Sequence, residues 1–291
     1  MGRLGARVAL ATARQAVGLD DDEPLLIDAL RARGVTAAPV VWDDPAAMWA
    51  AWDLTVVRST WDYPTRRDAF LAWARRVDGT GRLANAPHVM EWNSDKRYLG
   101  ELAVAGVPIV PSELFAPGQA VRLPATGDFV LKPSVSAGAQ DTVRYAAGDH
   151  GPAHAHAARL HAQGRHVLLQ PYLTAVDELG ETALVYLNDR FSHAIRKGPI
   201  LRGAPETVGG LFAKEDIAPR TPSDTERAVA ELVLDALPFG RAGLLYARVD
   251  LLPAPDGAPQ VLEVELVEPS LFLRHCEGAA ERFAAAIAAG L

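Results

Sequence analysis

The stretch Val261-Leu262-Glu263-Val264-Glu265-Leu266 places two carboxylates in an otherwise apolar segment. Such a segment predicts a β-strand, and because side chains alternate along a strand, Glu263 and Glu265 share one face. Their α-carbons are then about 7 Å apart. The preceding apolar segment, 244–252, predicts a second strand that brings Arg248 and Asp250 to one of its own faces. Two consecutive strands are therefore expected to carry charged faces.

A hairpin with its turn at 256–257 joins these strands with Asp250 opposite Glu263 and Arg248 opposite Glu265. Opposed residues have β-carbons about 4.5–5.5 Å apart, so three carboxylates share a small volume. Carboxylates at that spacing repel one another unless a cation lies between them, and a set of oxygen ligands suits Mg²⁺. The alternative is the solvated polar face of an edge hairpin, because a shift of one residue divides the cluster between two faces.

The composition narrows the class of protein. The chain has 291 residues, 49% of them apolar and 22% charged, which is enough for a large core in two or three domains. A net charge of −7 argues against a nucleic-acid partner, which requires a basic face. The single cysteine, Cys276, predicts a reducing, cytoplasmic location. The first apolar run, 8–11, is too short for a signal peptide or a membrane span, so we expect no membrane association; a homo-oligomer stays open.

The order of the predicted elements indicates an α/β fold in three units, and we place the domains at residues 1–92, 93–172 and 173–291. The acidic segment 20–23 is interpreted as an exposed loop, with contact to a substrate amine as the alternative. The predicted helices are 24–33, 45–52, 66–77, 95–105, 153–163, 224–237 and a closing amphipathic helix. The predicted strands are 35–42, 54–58, 107–110, 128–132, 167–170, 183–187, 191–195, 244–252 and 260–267.

Two lysines stand beside segments that suit phosphate groups. Only four of the 29 basic residues are lysine, which indicates that a retained lysine marks a place for a compact ammonium. Lys132 ends the strand 128–132 and precedes the small-residue loop 134–140, whose backbone N–H groups can approach an anion. Lys96 lies at the start of the predicted helix 95–105, where the helix dipole favours anions. The alternatives are an ordinary strand-to-turn connection and a surface lysine.

The ordered set of these segments resembles the ATP-grasp superfamily, and the resemblance covers nearly the whole chain. In chain order the set is Lys96, Lys132 with its small-residue loop, Gln170-Pro171-Tyr172-Leu173, Gly180-Glu181, Asp250, Glu263 and Glu265. The resemblance implies a three-domain α/β (α+β) ATP-grasp fold with ATP in the cleft between the central and C-terminal domains. The segment Val57-Arg58-Ser59-Thr60-Trp61-Asp62-Tyr63 is similar to one branch of the superfamily, the cyclo-ligases that close O-ureido-D-serine into D-cycloserine in antibiotic biosynthesis.

The resemblance also implies roles for individual residues, with ATP and Mg²⁺ as cofactors and a small amino-acid-like molecule as substrate. The implied magnesium ligands are Asp250, Glu263 and Glu265, and the implied catalytic residues are Arg248, Arg202 and Lys132. The implied ATP-binding residues are Lys96, Lys132, Ser134, Ser136, Gly138, Gln170, Tyr172, Leu173 and, for the ribose, Glu181 with Glu178 or Asp177 as alternatives. The implied contacts to the amino-acid substrate are Arg58, Ser59, Thr60 and Ser270.

Two other functions stay open at this point. One is an ATP-grasp ligase that joins two amino acids, which needs a second amine-binding pocket. The other is an inactive nucleotide-binding regulator that keeps the fold without turnover. The presence of Lys132, Asp250, Glu263 and Glu265 together favours an active ligase, because a degenerate site usually lacks one of them. The expected chemistry is transfer of the ATP γ-phosphoryl group to a carboxylate, followed by attack of a nitrogen on the acyl phosphate.

Overall fold

The computed structural model describes residues 5–201, 207–208, 210–213 and 215–291. Within these residues the strands form two sheets of four strands, one of five, and a two-stranded ribbon. Helices accompany each of the three larger sheets, so the predicted α/β class is confirmed. In this part of the chain we find no helix long and apolar enough to span a bilayer.

The N-terminal part forms a parallel sheet with helices packed against it. Its elements are β1 (Arg7–Thr12), α1 (Asp22–Arg31), β2 (Thr36–Val41), β3 (Leu54–Ser59), α2 (Arg67–Thr80), β4 (Leu83–Ala84), α3 (Pro87–Asn93) and α4 (Tyr98–Val104). The strand order is β2-β1-β3-β4, with all neighbours parallel, as alternating strands and helices predict. All six residues of β3 are buried, which places its end in the interior of the protein.

The helix predicted at 45–52 is wrong, since only the 3₁₀ turn Trp49–Ala51 forms there. Trp49 packs edge-on to Trp73, with 5.2 Å between ring centroids, whereas Trp52 lies beneath the guanidinium of Arg7 at 4.6 Å. Residues three apart share one face of a helix, but these two indoles contact different partners. Tertiary packing of the tryptophans therefore outweighs the helix propensity of the alanines around them.

A second correction concerns the start of the helix predicted at 95–105. The helix α4 begins only at Tyr98, and the Ser94 N–H closes the preceding α3 by donating to the Met90 carbonyl at 2.9 Å. Between the two helices the backbone N–H of Lys96 donates to the Ser134 carbonyl at 2.8 Å. This hydrogen bond holds Lys96, which belongs to neither helix, beside the segment that follows Lys132.

The central part forms an antiparallel sheet of order β5-β8-β6-β7 with one longer helix. Its elements are β5 (Glu113–Phe115), β6 (Phe129–Pro133), β7 (Val143–Tyr145), α5 (His150–Ala162), β8 (Val167–Pro171) and the short α6 (Val176–Leu179). The strand predicted at 107–110 is reduced to one bridge, between Ile109 and Val261, because Pro108 has no N–H for a ladder. Phe129, Leu131 and Leu160 form part of the core beneath α5.

The C-terminal part contains the five-stranded antiparallel sheet, of order β13-β10-β9-β14-β15. Its elements are β9 (Glu181–Leu187), β10 (Arg190–Lys197), β11 (Thr207–Val208), β12 (Phe212–Ala213), β13 (Ile217–Arg220), α7 (Asp224–Asp235), β14 (Tyr246–Pro253), β15 (Pro259–Glu265) and α8 (Ala279–Ala289). The strands predicted at 183–187 and 191–195 form a hairpin, and both turn residues, Asn188 and Asp189, have positive φ, as a tight turn of this kind requires. β11 and β12 form the two-stranded ribbon.

Hydrophobic clusters tie the three sheets together around a cleft. α8 packs against α1 through a cluster that includes Leu26, Phe283 and Ile287, so the end of the chain rests on the N-terminal part. The division into domains at 1–92, 93–172 and 173–291 stays a prediction. The cleft lies between the central antiparallel sheet and the five-stranded sheet, since strands of both line it.

Candidate active site

β14 and β15 form the hairpin that the sequence predicts, with the predicted partners at the charged positions. Arg248 pairs with Glu265 and Asp250 pairs with Glu263. A bulge directly after Asp250 displaces the pairing by one residue nearer the turn. The two prolines that end the paired region, Pro253 and Pro259, did not disturb the register where the carboxylates lie. The charged side chains of both strands therefore lie on the same face of the hairpin.

The three predicted metal ligands form one compact group. Asp250, Glu263 and Glu265 each place a carboxylate oxygen within 4.8 Å of oxygens from the other two. Glu263 and Glu265 line the cleft, whereas Asp250 is fully buried behind them. A donor set made only of carboxylate oxygens fits Mg²⁺, which keeps waters and binds well beside phosphates. The residues present are thus suited to the metal that the sequence predicts.

Asp250 is held by two cations at the back of this group. Lys197 donates from Nζ to Asp250 Oδ2 at 2.8 Å, and Arg248 donates from Nε and Nη2 at 2.8 and 2.7 Å. Burial alone raises the pKa of a carboxyl, but Arg248 and Lys197 hold the pKa of Asp250 well below its usual value. Lys197 also forms an ion pair with Glu181. Asp250 is therefore an anion at neutral pH.

The two glutamates of β15 differ in charge state although they share one face. Burial raises the pKa of a carboxyl, yet Lys96 and Lys132 outweigh it at Glu263 and bring the pKa of Glu263 to about 2. Burial raises the pKa of Glu265 to about 7, with Glu263 adding to the rise and the paired Arg248 opposing it. Binding of a cation to this group would thus displace a proton chiefly from Glu265 near neutral pH.

Lys132 presents its ammonium group to the cleft. Its side chain lines the cleft at 6% exposure, and no described residue accepts a hydrogen bond from it. Burial lowers the pKa of Lys132 to about 8, and Lys96 lowers it further, while Glu263 opposes both. A buried cation with no counter-ion in direct contact is costly for the fold alone. This arrangement is suited to an anionic ligand such as a phosphate.

The predicted phosphate loop, 134–140, lies beside these lysines. Lys96 donates from Nζ to the carbonyl and to the hydroxyl of Ser136, at 3.0 and 3.2 Å, and Ser136 lines the cleft. Gly138 has φ of +58°, and a Cβ built there would lie 2.4 Å from the Leu211 carbonyl oxygen. Only glycine fits at that point. Ser134, by contrast, lies beneath the loop and does not line the described cleft.

The cleft also contains the residues predicted to bind the adenine of ATP. Gln170, Tyr172 and Leu173 all line it. The amide of Gln170 donates to the Ser112 hydroxyl at 2.9 Å, and the Arg144 guanidinium stacks 3.7 Å from the Tyr172 ring centroid. These contacts fix the walls of a slot in which a flat aromatic base can lie between side chains.

The three acidic residues that are candidates for binding the ribose of ATP lie in different places. Glu181 begins β9, is buried, and lines the cleft, where burial raises its pKa well above the usual value against the effect of Lys197. Glu178 is exposed and does not line the described cleft. Asp177 accepts a hydrogen bond from the Tyr172 hydroxyl at 2.7 Å. The structure therefore brings Glu181 to the cleft and leaves Glu178 outside it.

Three of the four residues predicted to contact the amino-acid substrate do not line the described cleft. Arg58 is 1% exposed and donates from Nη1 to the Pro269 carbonyl at 3.0 Å. Ser59 forms a hydrogen bond with the Thr12 hydroxyl at 2.7 Å, and Thr60 is fully buried. The reason is that β3 runs through the core of the N-terminal sheet, so its end is enclosed. Ser270 does line the cleft.

The acidic segment 20–23 is not the exposed loop that its sequence predicts. Asp20 and Asp22 are buried and lie 3.7 and 3.5 Å from the guanidinium of Arg58. Asp22 also accepts hydrogen bonds from the backbone N–H groups of Leu271 and Leu273, at 2.8 and 2.7 Å. An arginine from a distant strand supplies the counter-charge, which the local sequence does not reveal. These carboxylates hold the segment after β15 in place.

Several residues of the cleft were not assigned from the sequence. Lys197 lies at the end of β10 beside Asp250, and its only signal was being one of four lysines. Glu268 and Tyr63 line the cleft near Ser270 and carried no spacing that would mark them. Arg202, predicted as catalytic, lies outside the described residues.

The fold and the cleft together define an ATP-grasp protein, in which lysines of one antiparallel sheet face an acidic hairpin of another. The D-alanine–D-alanine ligase of Bacillus anthracis, solved in complex with ATP, shares this fold at a TM-score of 0.64 and 14% identity, with 97% of this chain and 95% of that chain covered. The resemblance inferred from the sequence is confirmed. A crystal structure of D-cycloserine synthetase DcsG matches far better, with a TM-score of 0.87, 37% identity, and coverage of 98% of this chain and 99% of that one.

The sequence comparisons agree. The family described as D-cycloserine synthetase DcsG, N-terminal domain, matches residues 8–85. The cycloserine biosynthesis protein DcsG of Streptomyces lavendulae is 39% identical over 294 residues, which cover 97% of each chain. The chain belongs to the D-cycloserine synthetase family.

Proposed function

We propose that this protein is an ATP- and Mg²⁺-dependent ligase that forms a C–N bond and closes O-ureido-D-serine into D-cycloserine. The observation that carries the proposal is the Lys132 ammonium, which has no hydrogen-bond partner among the described residues and lies in the same cleft as the carboxylates of Glu263 and Glu265. Phosphoryl transfer needs such a combination of cations and metal ligands. The substrate follows from family membership, since the 39% identical relative is a cycloserine biosynthesis protein.

The nucleotide is placed by residues from both sheets. Lys132 and Lys96 hold its phosphates, the backbone of 134–140 covers them, and Gln170 and Tyr172 border the base. Fold relatives have been solved with ATP, and with Mg and ADP, which is consistent with this placement. Asp250, Glu263 and Glu265 would hold Mg²⁺, which when bound neutralises charge on the phosphates and so lowers the barrier to transfer.

The reaction begins at the carboxylate of the substrate, which is a poor electrophile because its charge is delocalised. Transfer of the γ-phosphoryl group of ATP to a carboxylate oxygen gives an acyl phosphate and ADP. The nitrogen bound to the side-chain oxygen then attacks the acyl carbon, so that a C–N bond forms, the C–O bond to phosphate breaks, and the nitrogen loses its proton. Arg248, which donates to the Ser270 carbonyl at 2.9 Å and borders the cleft, is placed to steady the charge on the phosphoryl group.

Two further parts of the reaction follow from the chemistry of the intermediate. An acyl phosphate is rapidly hydrolysed by water, so the loop 134–140, which packs against Leu211, protects it by covering the phosphates. The carbamoyl group leaves as CO₂ and ammonia, as the family resemblance implies. The balance is then O-ureido-D-serine, ATP and water giving D-cycloserine, CO₂, ammonia, ADP and phosphate.

The proposal is tested by mass spectrometry of the products after incubation with Mg²⁺, ATP and O-ureido-D-serine, with the L-isomer as a parallel reaction. We expect cycloserine and ADP in equal amounts from the D-isomer and neither from the L-isomer. The Lys132→Ala variant serves as the control for non-enzymatic turnover. Unchanged ATP in the presence of the D-isomer would overturn the proposal, and a screen of amino-acid pairs would then ask whether the protein is a dipeptide ligase.

A further inference from the structure

One carboxylate in the wall of the cleft has no part in the metal group. Glu268 lies three residues after Glu265, lines the cleft, and is 8% exposed. Its oxygens do not belong to the group formed by Asp250, Glu263 and Glu265. The side chain is therefore more than nine-tenths buried, and the accessible remainder faces the cleft.

Glu268 differs from the carboxylates around it because it has no cationic partner among the described residues. Glu181 and Asp250 form ion pairs with Lys197, Glu263 with Lys96, and Glu265 with Arg248. Glu215, which also lines the cleft, is more exposed and lies close enough to Lys197 and Arg248 to raise the pKa of both side chains. No hydrogen bond and no ion pair joins Glu268 to any residue that the structure describes. Burial, together with the nearby Glu265, raises the pKa of Glu268 well above its usual value.

The segment that carries Glu268 is fixed on its C-terminal side. Arg58 donates to the carbonyl of Pro269, the next residue, and Asp22 accepts the N–H groups of Leu271 and Leu273. Arg248 donates to the carbonyl of Ser270. The position of this carboxylate is thus set by contacts from distant parts of the chain, as in a preorganised binding site.

The surroundings of Glu268 suit a small organic group. Ser270, Tyr63 and Trp61 also line the cleft, and the ring of Trp61 packs edge-on to Phe212 at 4.8 Å between centroids. Tyr63 is near enough that Glu268 contributes to the raised pKa of its hydroxyl, after burial. A buried acid near an aromatic ring in a cleft is typical of pockets that bind an organic cation.

We infer that Glu268 receives the α-ammonium group of the amino-acid substrate and selects substrates that carry this group. The inference rests on the proposed function, in which the substrate brings one carboxylate and one ammonium. The carboxylate is the group that is phosphorylated, so it must face the metal ligands and Lys132. The ammonium then needs a carboxyl group that is neither a metal ligand nor already paired. Glu268 meets both conditions and is more deeply buried than Glu215, the other carboxyl group of the described cleft that lies outside the metal group and forms none of these ion pairs. Pairing with the ammonium compensates for the burial of that charge.

A different role, removal of the proton from the attacking nitrogen, makes a different prediction. A general base changes kcat, because it acts only in the transition state. A residue that binds the ammonium changes chiefly KM, because the ion pair exists before and during the reaction. A substrate without the amine distinguishes the two roles. Replacing Glu268 should then have little effect if it binds the ammonium, but should still lower kcat if it is the general base.

The experiment compares two substrates and three variants by ADP release at saturating Mg²⁺ and ATP. The substrates are O-ureido-D-serine and its analogue without the α-amino group, 3-(ureidooxy)propanoate. For the wild type we expect kcat/KM to be about 100-fold higher with the amine. For Glu268→Gln we expect a loss of about 100-fold on O-ureido-D-serine, mainly in KM, and less than a threefold change on the analogue. Glu268→Asp keeps the charge and is expected to retain most of the preference for the amine.

Glu277→Gln is the matched control, because Glu277 is exposed and lies outside the cleft. We expect it to behave as the wild type on both substrates. A fall in kcat at unchanged KM in Glu268→Gln, or an equal loss on both substrates, would overturn the ammonium assignment. If Glu268→Gln does not fold, Glu268→Ala takes its place: a loss of the preference for the amine, mainly through KM, would support the assignment, and loss of kcat alone or an unchanged preference would refute it. Absence of ADP release by the wild type with O-ureido-D-serine would instead refute the proposed function.

Discussion

The protein contains two buried groups of charged side chains that resemble each other in composition but differ in what they contact. The hairpin of β14 and β15 combines Arg248 with Asp250 and the two glutamates, and the two glutamates line the cleft. The group at the end of β3 combines Arg58 with Asp20 and Asp22 and is closed from the described cleft. Charged groups of the first cluster are accessible to a ligand in the cleft, whereas those of the second form hydrogen bonds with backbone groups of the protein.

The difference shows that a buried ion cluster does not by itself identify a ligand site. Asp22 and Arg58 bind carbonyl and N–H groups of residues 269–273, so their charges fix the segment that carries Ser270. Lys132, in contrast, has no hydrogen-bond acceptor among the described residues although it is almost fully buried. We therefore expect substitutions in the first group to affect chiefly ligands, and substitutions in the second to affect chiefly the free energy of unfolding.

The largest expected effect is on stability, in the variant Arg58→Met. Removal of the guanidinium leaves Asp20 and Asp22 as uncompensated buried carboxylates, and breaking a buried ion pair on one side costs about 3–5 kcal/mol. Urea denaturation followed by circular dichroism measures this loss. The matched control is Arg31→Met, whose ion pair with Asp28 is exposed, and it should cost less than about 1 kcal/mol. Equal losses in the two variants would contradict a structural role for Arg58.

Lys132→Ala should lower activity without lowering stability, the opposite of Arg58→Met. We expect kcat/KM to fall by about 10²–10³, the usual loss for one preorganised donor, because the developing charge on the phosphates loses its cation. The free energy of unfolding should stay the same or rise, because a buried ammonium without a hydrogen-bond acceptor does not stabilise the free protein. Steady-state kinetics and urea denaturation provide the two readings. A loss of activity below tenfold would remove Lys132 from the catalytic residues.

The charge state of Glu265 makes magnesium binding depend on pH. Its pKa is raised to about 7 in the folded protein, so it is mostly protonated below pH 7 and must lose a proton to bind the metal. The apparent affinity for Mg²⁺ should therefore rise by up to about tenfold per pH unit below pH 7 and level off above it. Calorimetric titrations at pH 6, 7 and 8 measure this, and Glu265→Gln should flatten the profile. The same affinity at pH 6 and pH 8 would contradict the assignment.

The smallest expected effect is on the KM for ATP, and it distinguishes the two glutamates that are candidates for binding the ribose. Glu178→Gln should change the KM for ATP by less than twofold, because its side chain is exposed and outside the cleft. Glu181→Gln should raise that KM by about tenfold, the value of one hydrogen bond to a charged group. Steady-state kinetics at varied ATP distinguishes them. A larger effect from Glu178 than from Glu181 would show that the nucleotide lies elsewhere.

The sequence predicted best what depends on local pattern and order. The alternation in β15 placed Glu263 and Glu265 on one face, and the turn position placed Asp250 and Arg248 opposite them, because a strand has a fixed period of two. The ordered set of lysines, glutamine and acids indicated the ATP-grasp fold, which the comparisons confirm.

What the sequence could not predict depends on segments that meet only in the folded protein. The burial of Asp20 and Asp22 requires Arg58 from another strand, so their local composition indicated an exposed loop. The helix predicted at 95–105 begins only at Tyr98, and the preceding Lys96 N–H donates to the Ser134 carbonyl, a contact from a distant segment that the local pattern does not reveal. No spacing pattern in the sequence marks Glu268. What distinguishes it is that no described cation pairs with it, and this can be seen only in the folded protein.

The central claim is that the hairpin and Lys132 transfer a phosphoryl group to the substrate carboxylate, and isotope transfer tests it most directly. O-ureido-D-serine labelled with ¹⁸O in both carboxylate oxygens is incubated with Mg²⁺, ATP and the protein, and the inorganic phosphate is analysed by mass spectrometry or ³¹P NMR. An acyl phosphate predicts one ¹⁸O atom in each phosphate formed, with the other kept in the carbonyl of D-cycloserine. Phosphate without ¹⁸O, formed together with ADP and cycloserine, would contradict the account.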